Sequence, residues 1–222
     1  MQKFDTTGQV AVVVEIPAGS IQLVATDRTE VVVEVAPANA SKKRDLKAAE
    51  QTEVSFQDGV LRIATADPNR ILGSSGSLAV TVELPAGSRF EGRAGAAELR
   101  SSGRLGEVAF DGGYRAVELD EVTGVRLKMH TGTVTVARLT GPAQIVNGMG
   151  DVTIAEAGSG VVEVRTGSGQ LSVGAAAGVS ATLDAQTSYG RIANALKNTD
   201  GASAPLVIKA TTGHGDIEAH SN

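Results

Sequence analysis

The segment Thr131-Gly132-Thr133-Val134-Thr135-Val136 places a glycine directly ahead of a short strand of β-branched residues. Later segments repeat this arrangement with glycines spaced by 18, 19, 21 and 25 residues: Met149-Gly150-Asp151-Val152-Thr153-Ile154, Ser168-Gly169-Gln170-Leu171-Ser172-Val173, Tyr189-Gly190-Arg191-Ile192 and His214-Gly215-Asp216-Ile217. A near-constant period of this size is typical of stacked repeats, in which each coil buries its apolar face against its neighbours. The segment therefore predicts an architecture of repeated coils.

Each glycine also follows a second strand in which apolar and polar residues alternate, as in a sheet with one buried face. These strands are Val125–Met129, Ala143–Val146, Val161–Val164, Ser180–Leu183 and Leu206–Lys209. Glycine supplies the positive φ of a tight corner. One coil is therefore a strand, a glycine corner, a strand and a loop, and weaker copies begin near residues 97 and 115. The fold class expected for residues 91–222 is an all-β, parallel β-solenoid, with an antiparallel sandwich as the alternative.

The first 90 residues are organised differently. Val12–Ser20 and Val80–Ser88 are near copies that share a Pro-Ala-Gly-Ser ending, and each is predicted to be a strand followed by a turn and another strand. We expect residues 1–90 to form a hairpin-rich cap that covers the exposed edge at one end of the coils.

The segment 41–50 breaks the β pattern and is rich in helix-forming and basic residues. Ser41 is the predicted N-cap of a short helix. Its basic residues, at 42, 43, 44 and 47, would suit a contact with nucleic acid or anionic lipid. A solvated surface is the favoured interpretation, because Asp45 and Glu50 dilute the charge and the chain as a whole carries a net charge of −5.

Composition limits the possible chemistry of the 222 residues. The chain has no cysteine, which excludes disulfides and thiolate metal sites. Aromatic residues make up only 3%, so small side chains must fill the interior. The start of the chain lacks the apolar run of a signal peptide, and no stretch approaches the ~20 apolar residues of a membrane span. A cytoplasmic location is expected.

The candidate chemical groups do not converge on one site. His130 and His214 precede corner glycines of two coils predicted to be four layers apart, and His220 lies in a tail predicted to be disordered. Asp151 and Asp216 follow corner glycines and are expected to bond to the turn backbone or to face solvent. We therefore predict no catalytic, cofactor-binding or metal-binding residues.

The strand-Pro-Ala-Gly opening, the segment Asp58-Gly59-Val60-Leu61-Arg62-Ile63 and the Gly-Asp-Val/Ile corners resemble the bacterial β-strand-repeat family called "putative adhesin", a domain of unknown function. The resemblance covers nearly the whole chain, and the segments Leu84–Gly87 and Gly103–Gly106 are similar to its actinobacterial branch. It implies a β-solenoid-like fold without catalytic residues. The adhesin label also implies a role at the cell surface, for which the sequence shows no export signal.

The function expected from these observations is that of a non-enzymatic scaffold or interaction protein that binds a protein partner or itself. A carbohydrate-active β-helix enzyme and a cytosolic, bactofilin-like filament are the alternatives. The segment Gly215–Ala219 is expected to be the bare last strand of the stack. Because Asp216 and Glu218 would repel their copies there, we expect a monomer, or a closed dimer joined through the C-terminal coil.

Overall fold

The structure, a computed structural model, describes residues 1–66 and 76–222. These residues form two compact units, Met1–Arg115 and Ala116–Asn222. β-Strands dominate both units, and one short helix is the only α-helix of the described residues. Most strand pairs are parallel, so the predicted all-β class and parallel pairing are confirmed. The predicted boundary near residue 90 stays a prediction.

Eight strands and one helix build the first unit. They are β1 (Gln2–Asp5), β2 (Ala11–Thr26), β3 (Glu30–Pro37), α1 (Lys43–Glu50), β4 (Thr52–Gln57), β5 (Val60–Thr65), β6 (Leu78–Pro85), β7 (Arg89–Ser102) and β8 (Arg104–Tyr114).

The 16-residue strand β2 organises this unit. It pairs in parallel with β5, β6 and β7, and β7 in turn pairs in parallel with β8. Antiparallel pairs join β1 to β3, β3 to β6 and β4 to β5. Among the residues of this unit that the structure describes, only β4 and β5 form a tight hairpin, through Asp58 and Gly59 with φ of 51° and 74°, the positive angles of a type I′ turn. The unit is thus more parallel than the predicted set of hairpins.

The two Pro-Ala-Gly segments behave differently, which corrects the sequence-based prediction. The second copy ends β6, as expected, but the first copy lies inside β2 and does not turn. Gly19 in that copy has a φ of 132°, and a Cβ there would overlap the carbonyl oxygen of Leu78. Glycine is required at this position because the start of β6 approaches it closely.

Helix α1 begins without the predicted side-chain cap. Its N-cap residue is Lys42, which makes no capping hydrogen bond, and the backbone N–H of Ser41 donates to the side chain of Asn39. The buried face of the helix carries Ala48 and Asp45, and the Asp45 carboxylate accepts a hydrogen bond from the backbone N–H of Ser77 at 3.0 Å. The four basic residues of the segment are exposed.

Ten strands build the second unit. They are β9 (Val117–Thr131), β10 (Val134–Leu139), β11 (Ala143–Met149), β12 (Val152–Ala157), β13 (Gly160–Ser168), β14 (Leu171–Ala175), β15 (Ala181–Tyr189), β16 (Ile192–Ala195), β17 (Leu206–His214) and β18 (Ile217–Ser221). A 3₁₀ turn at Gly201–Ser203 lies between β16 and β17.

These ten strands form two parallel series that share β9. One series runs from the first half of β9 through β10, β12, β14 and β18 to β16. The other runs from the second half of β9 through β11, β13 and β17 to β15. We call each strand–corner–strand pair, such as β13 with β14, a layer.

The shared position of five apolar residues, each two residues after a corner glycine, predicts one buried ladder of parallel strands. This ladder is present, with one exception in its burial. Its members pair in the order Val134, Val152, Leu171, Ile217 and Ile192. The first four are buried, but Ile192 is 46% exposed. The prediction of parallel pairing is therefore confirmed, and the prediction that Ile192 is buried is wrong.

The layers do not follow the order of the chain. The β17–β18 layer lies between the β13–β14 layer and the β15–β16 layer. The prediction that Gly215–Ala219 forms the bare last strand is therefore wrong, and His220 lies in β18 rather than in a disordered tail. Burial explains the order: the outermost position leaves Asn194 of β16 exposed, whereas an inner position would enclose its amide among apolar residues such as Val173 and Ala219.

Candidate interaction surface at the end of the second unit

The three histidines do not come together. His130 lies in the β9 layer, and His214 lies in the third layer beyond it, through β11 and β13. At about 4.8 Å per layer, their backbones are roughly 14 Å apart, three layers rather than the predicted four. Within residues 1–66 and 76–222, no three His, Cys, Asp or Glu side chains are grouped so that they could hold a metal ion.

The corner aspartates bind the backbone of the next layer, as expected from their position. The carboxylate of Asp151 accepts a hydrogen bond from the N–H of Gln170 at 2.8 Å. The Asp216 carboxylate accepts one from the N–H of Arg191 at 2.8 Å and one from its guanidinium at 3.0 Å. The backbone hydrogen bond, reinforced by the guanidinium, holds the pKa of Asp216 below its usual value. These carboxylates fasten corners together.

A row of buried and half-buried polar residues supports the same corners. The Thr166 hydroxyl donates to the carbonyls of Gly150 and Ser168, and the Thr212 hydroxyl donates to those of Gly169 and His214. Asn147 and Thr187 each donate to the carbonyl of a corner glycine in the neighbouring layer. Asn147 donates to Gly132, and Thr187 donates to Gly215. Sequence reasoning missed this row, although its signal is a Thr or Asn three residues before four of the five corner glycines, Gly150, Gly169, Gly190 and Gly215.

Arg138, on the outer surface, is paired along the stacking direction. The Arg138 guanidinium contacts Glu156 at 3.1 Å and Glu121 at 3.6 Å, one in each neighbouring layer. These carboxylates raise the pKa of Arg138 above its ordinary value. The arrangement ties successive layers together and leaves these charges engaged within the unit.

The β15–β16 layer, here called the end layer, has an open edge. β15 pairs only with β17 and β16 only with β18, and no strand of the described residues pairs with their other edges. The inward-facing Leu183, Ala185 and Thr187 of β15 are only half-buried. Their row neighbours in β17 are fully buried. The Ala181 N–H at the start of β15 donates to the carbonyl of Lys197 at 3.1 Å. Beyond that residue, the end layer presents unpaired backbone groups beside partly exposed core positions.

An aromatic pair stands at the corner of the end layer. The ring of Tyr189 stacks on the imidazole of His214 in the layer beneath, with centroids 4.8 Å apart and planes 13° apart. Tyr189 remains 70% exposed. Tyrosine is a residue that interfaces favour, because it offers a large apolar face with a polar tip.

The end layer is electrically balanced. Its strands and corner contain one acidic residue, Asp184, and one basic residue, Arg191, whereas the whole chain carries a net charge of −5. Asp184 lies beside Lys209 in the register of β15 and β17, and Arg191 is paired with Asp216. The surface therefore has no excess charge of either sign.

No protein-family model and no curated protein matches this chain. Solved structures do match it over nearly its whole length. A putative adhesin from Parabacteroides distasonis is 14% identical, with a TM-score of 0.54 over 98% of this chain and 95% of that one. A putative adhesin from Bacteroides fragilis is 14% identical, with a TM-score of 0.46 over 98% and 95% of the two chains.

A putative cell adhesion protein from Clostridium sporogenes is 12% identical, with a TM-score of 0.42 over 100% of this chain and 98% of that one. At these identities the similarity concerns the fold, and the Parabacteroides distasonis structure carries it. The chain is therefore an all-β protein whose fold is similar to that of a putative adhesin. Among the described residues, no helix has the length and apolar character needed to cross a membrane.

Proposed function

We propose that this chain is a non-enzymatic interaction protein, a β-solenoid scaffold that binds a protein partner through the end layer of its second unit. The open edge of β15 and β16 is the observation that carries the proposal. An unpaired strand edge offers a row of N–H and C=O groups to another chain, and natural proteins use such edges for strand addition.

The composition of the edge supports binding. Soluble proteins protect free edges with inward-pointing charges, prolines or bulges, and the end layer has no proline and no charge on its inward-facing positions. Ile192 and Tyr189 add exposed apolar surface at the same edge. The interior of every other layer between β9 and β17 is closed by its neighbours, so the end layer is where a partner would gain the most buried area.

The resemblance to the adhesin repeat family and the fold similarity to a putative adhesin support a binding role. The ion pairs of Arg138 and Arg191 with carboxylates of neighbouring layers support a structural role for those charges. The similarity to the actinobacterial branch of that family and the cytoplasmic location are supported by sequence features alone.

A photo-cross-linking experiment tests this function. A photoreactive phenylalanine analogue is placed at Tyr189, in the end layer, or at Tyr114, an exposed position of the first unit. We expect adducts with protein at position 189 in the cells that make the chain, and far fewer at position 114. Equal yields at the two positions would contradict the proposal.

Matched charge substitutions locate the contact. Ile192 and Val161 have nearly the same exposure, 46% and 45%, but only Ile192 lies at the open edge. Ile192→Lys should abolish the adducts formed at position 189, and Val161→Lys should leave them unchanged. If Ile192→Lys leaves the adducts intact in a folded protein, the end layer is not the binding surface.

A further inference from the structure

We propose that the partner of the end layer is a second copy of this chain, and that two β15 strands pair antiparallel about a two-fold axis through Ala185. This inference rests on the end layer being the binding surface proposed above, and it adds the identity of the partner and the register of the pair.

The symmetry follows from the geometry of the open β15 edge. A two-fold axis along the sheet normal reverses the strand direction and the stacking direction together, so outward-facing side chains remain outward and inward-facing ones remain inward. The core positions of β15 would then continue into the core positions of the copy. Because each copy uses its one free β15 edge, assembly ends at two.

The register follows from the side chains of β15. Two copies of the same strand must pair residues whose numbers have an even sum, since an odd sum would place inward-facing residues opposite outward-facing ones. An axis through Ala185 places Leu183 opposite Thr187 of the copy and Asp184 opposite Gln186 of the copy. An axis through Asp184 would place two carboxylates face to face, which is unfavourable.

Charge and burial both favour a copy over a charged partner. The end layer has one acid and one base in an otherwise acidic chain, so net charge does not oppose the approach of two copies at this surface. In the inner layers, the row neighbours of Leu183, which are Ile208 and Val162, are completely buried. A copy supplies the missing layer and buries Leu183 and Ala185 in the same way.

The oligomeric state is the direct test. Sedimentation equilibrium of the full chain over low to high micromolar concentrations should show a monomer–dimer equilibrium without larger species. A monomer at every concentration would overturn the inference, and so would continued growth into filaments. A monomer that still forms Tyr189 adducts with a different protein would overturn the identity of the partner while leaving the proposed function intact.

Charge substitutions at Gln186 test the register. Gln186 is exposed, and the two-fold axis places it opposite Asp184 of the copy. The dimer therefore contains this pair of residues two times. Gln186→Glu should weaken the dimer and Gln186→Lys should tighten it, each by a factor of roughly 2 to 30 in Kd. The control is Asp184→Ala, in whose background the difference between the two substitutions should largely disappear. If both substitutions leave Kd unchanged, the proposed register is wrong.

Discussion

At the scale of single residues, the second unit depends on a column of glycines at its corners. Gly132, Gly150, Gly169, Gly215 and Gly190 all have positive φ, and they stack in this order along the layers. A Cβ on Gly169 would overlap the carbonyl oxygen of Gly150 in the layer beneath. The same carbonyl accepts a hydrogen bond from Thr166. Glycine is therefore required both for its backbone angle and for the close approach of the next layer.

Substitution of Gly169 tests this double requirement. Gly169→Ala should lower the free energy of unfolding by more than the about 1–3 kcal/mol of a strained backbone angle, because the added Cβ also meets the Gly150 carbonyl. Gly178→Ala is the matched control, since Gly178 has a φ of 77° with no atom within 4 Å of the added Cβ. Urea unfolding of the two variants measures the difference. Equal losses of stability would mean that the close approach between layers contributes nothing.

Asp216 gives the second unit a pH-dependent corner. Its pKa is lowered in the folded protein by hydrogen bonds from Arg191. The stabilisation is therefore present above the pKa of an unfolded aspartate, about 3.9, and is lost as the pH falls through the folded value. Asp216→Asn keeps a carbonyl oxygen for the Arg191 N–H but removes the charge.

Thermal unfolding should show the variant to be less stable than the original chain at pH 6 to 7, with the gap in Tm closing as the pH falls below the pKa of an unfolded aspartate. Arg191→Met should lower the Tm at neutral pH and reduce the further effect of Asp216→Asn, because the two side chains share one interaction. A gap in Tm that stays constant with pH would assign the effect to packing instead of charge.

At the scale of the strands, the sequence predicts the elements better than their order. The glycine period and the alternation of apolar residues correctly predict strand pairs from Val125 to Ile217 and their parallel register. Their order could not be read from the repeat, because the same strand–glycine–strand pattern recurs whether the chain adds a layer at the end or inserts one between two others. The decisive residues are Asn194, which would be buried in an inner layer, and Ile217 with Ala219, which tolerate burial on both sides.

The first unit shows the opposite limitation. The two Pro-Ala-Gly-Ser copies are almost identical in sequence, yet one continues a strand and the other ends one. The difference is tertiary, since Gly19 accommodates the backbone of Leu78. The position of the open edge could not be predicted from the sequence either, because it depends on the order of the layers. The sequence places the free edge at β18, whereas the structure places it at β15 and β16.

Hydrogen exchange tests the order of the layers. Backbone amides of β15 and β16 should exchange faster than those of β17 and β18, although the latter strands contain the C-terminus, because β17 and β18 have paired strands on both sides. The measurement is best made on Gln186→Glu, which should weaken the proposed pairing between copies. Stronger protection of β15 than of β17 in that variant would mean that the chain order and the stacking order agree.

At the scale of the second unit as a whole, the other layers form a continuous stack without the end layer. Ala175 at the end of β14 pairs with Ala157, and Leu206 at the start of β17 pairs with Gly160. Only Gly158 and Ser159 connect Ala157 to Gly160. A connection of the same length should therefore join Ala175 directly to Leu206, without the residues between them.

Replacement of residues 176–205 by Gly-Ser should thus give a folded chain that lacks only the end layer. Removal of residues 205–222 deletes fewer residues but should be far more destabilising, because it uncovers the buried Leu171 and Val173 and separates β15 and β16 from the strands they pair with. In stacked repeats, stability depends on contacts between neighbouring layers, so the loss of an inner layer costs two interfaces and the loss of an outer layer costs one. Thermal unfolding followed by circular dichroism compares the loss of stability in the two variants. A lower Tm for the 176–205 replacement than for the truncation would show that β15 and β16 belong to the inner stack.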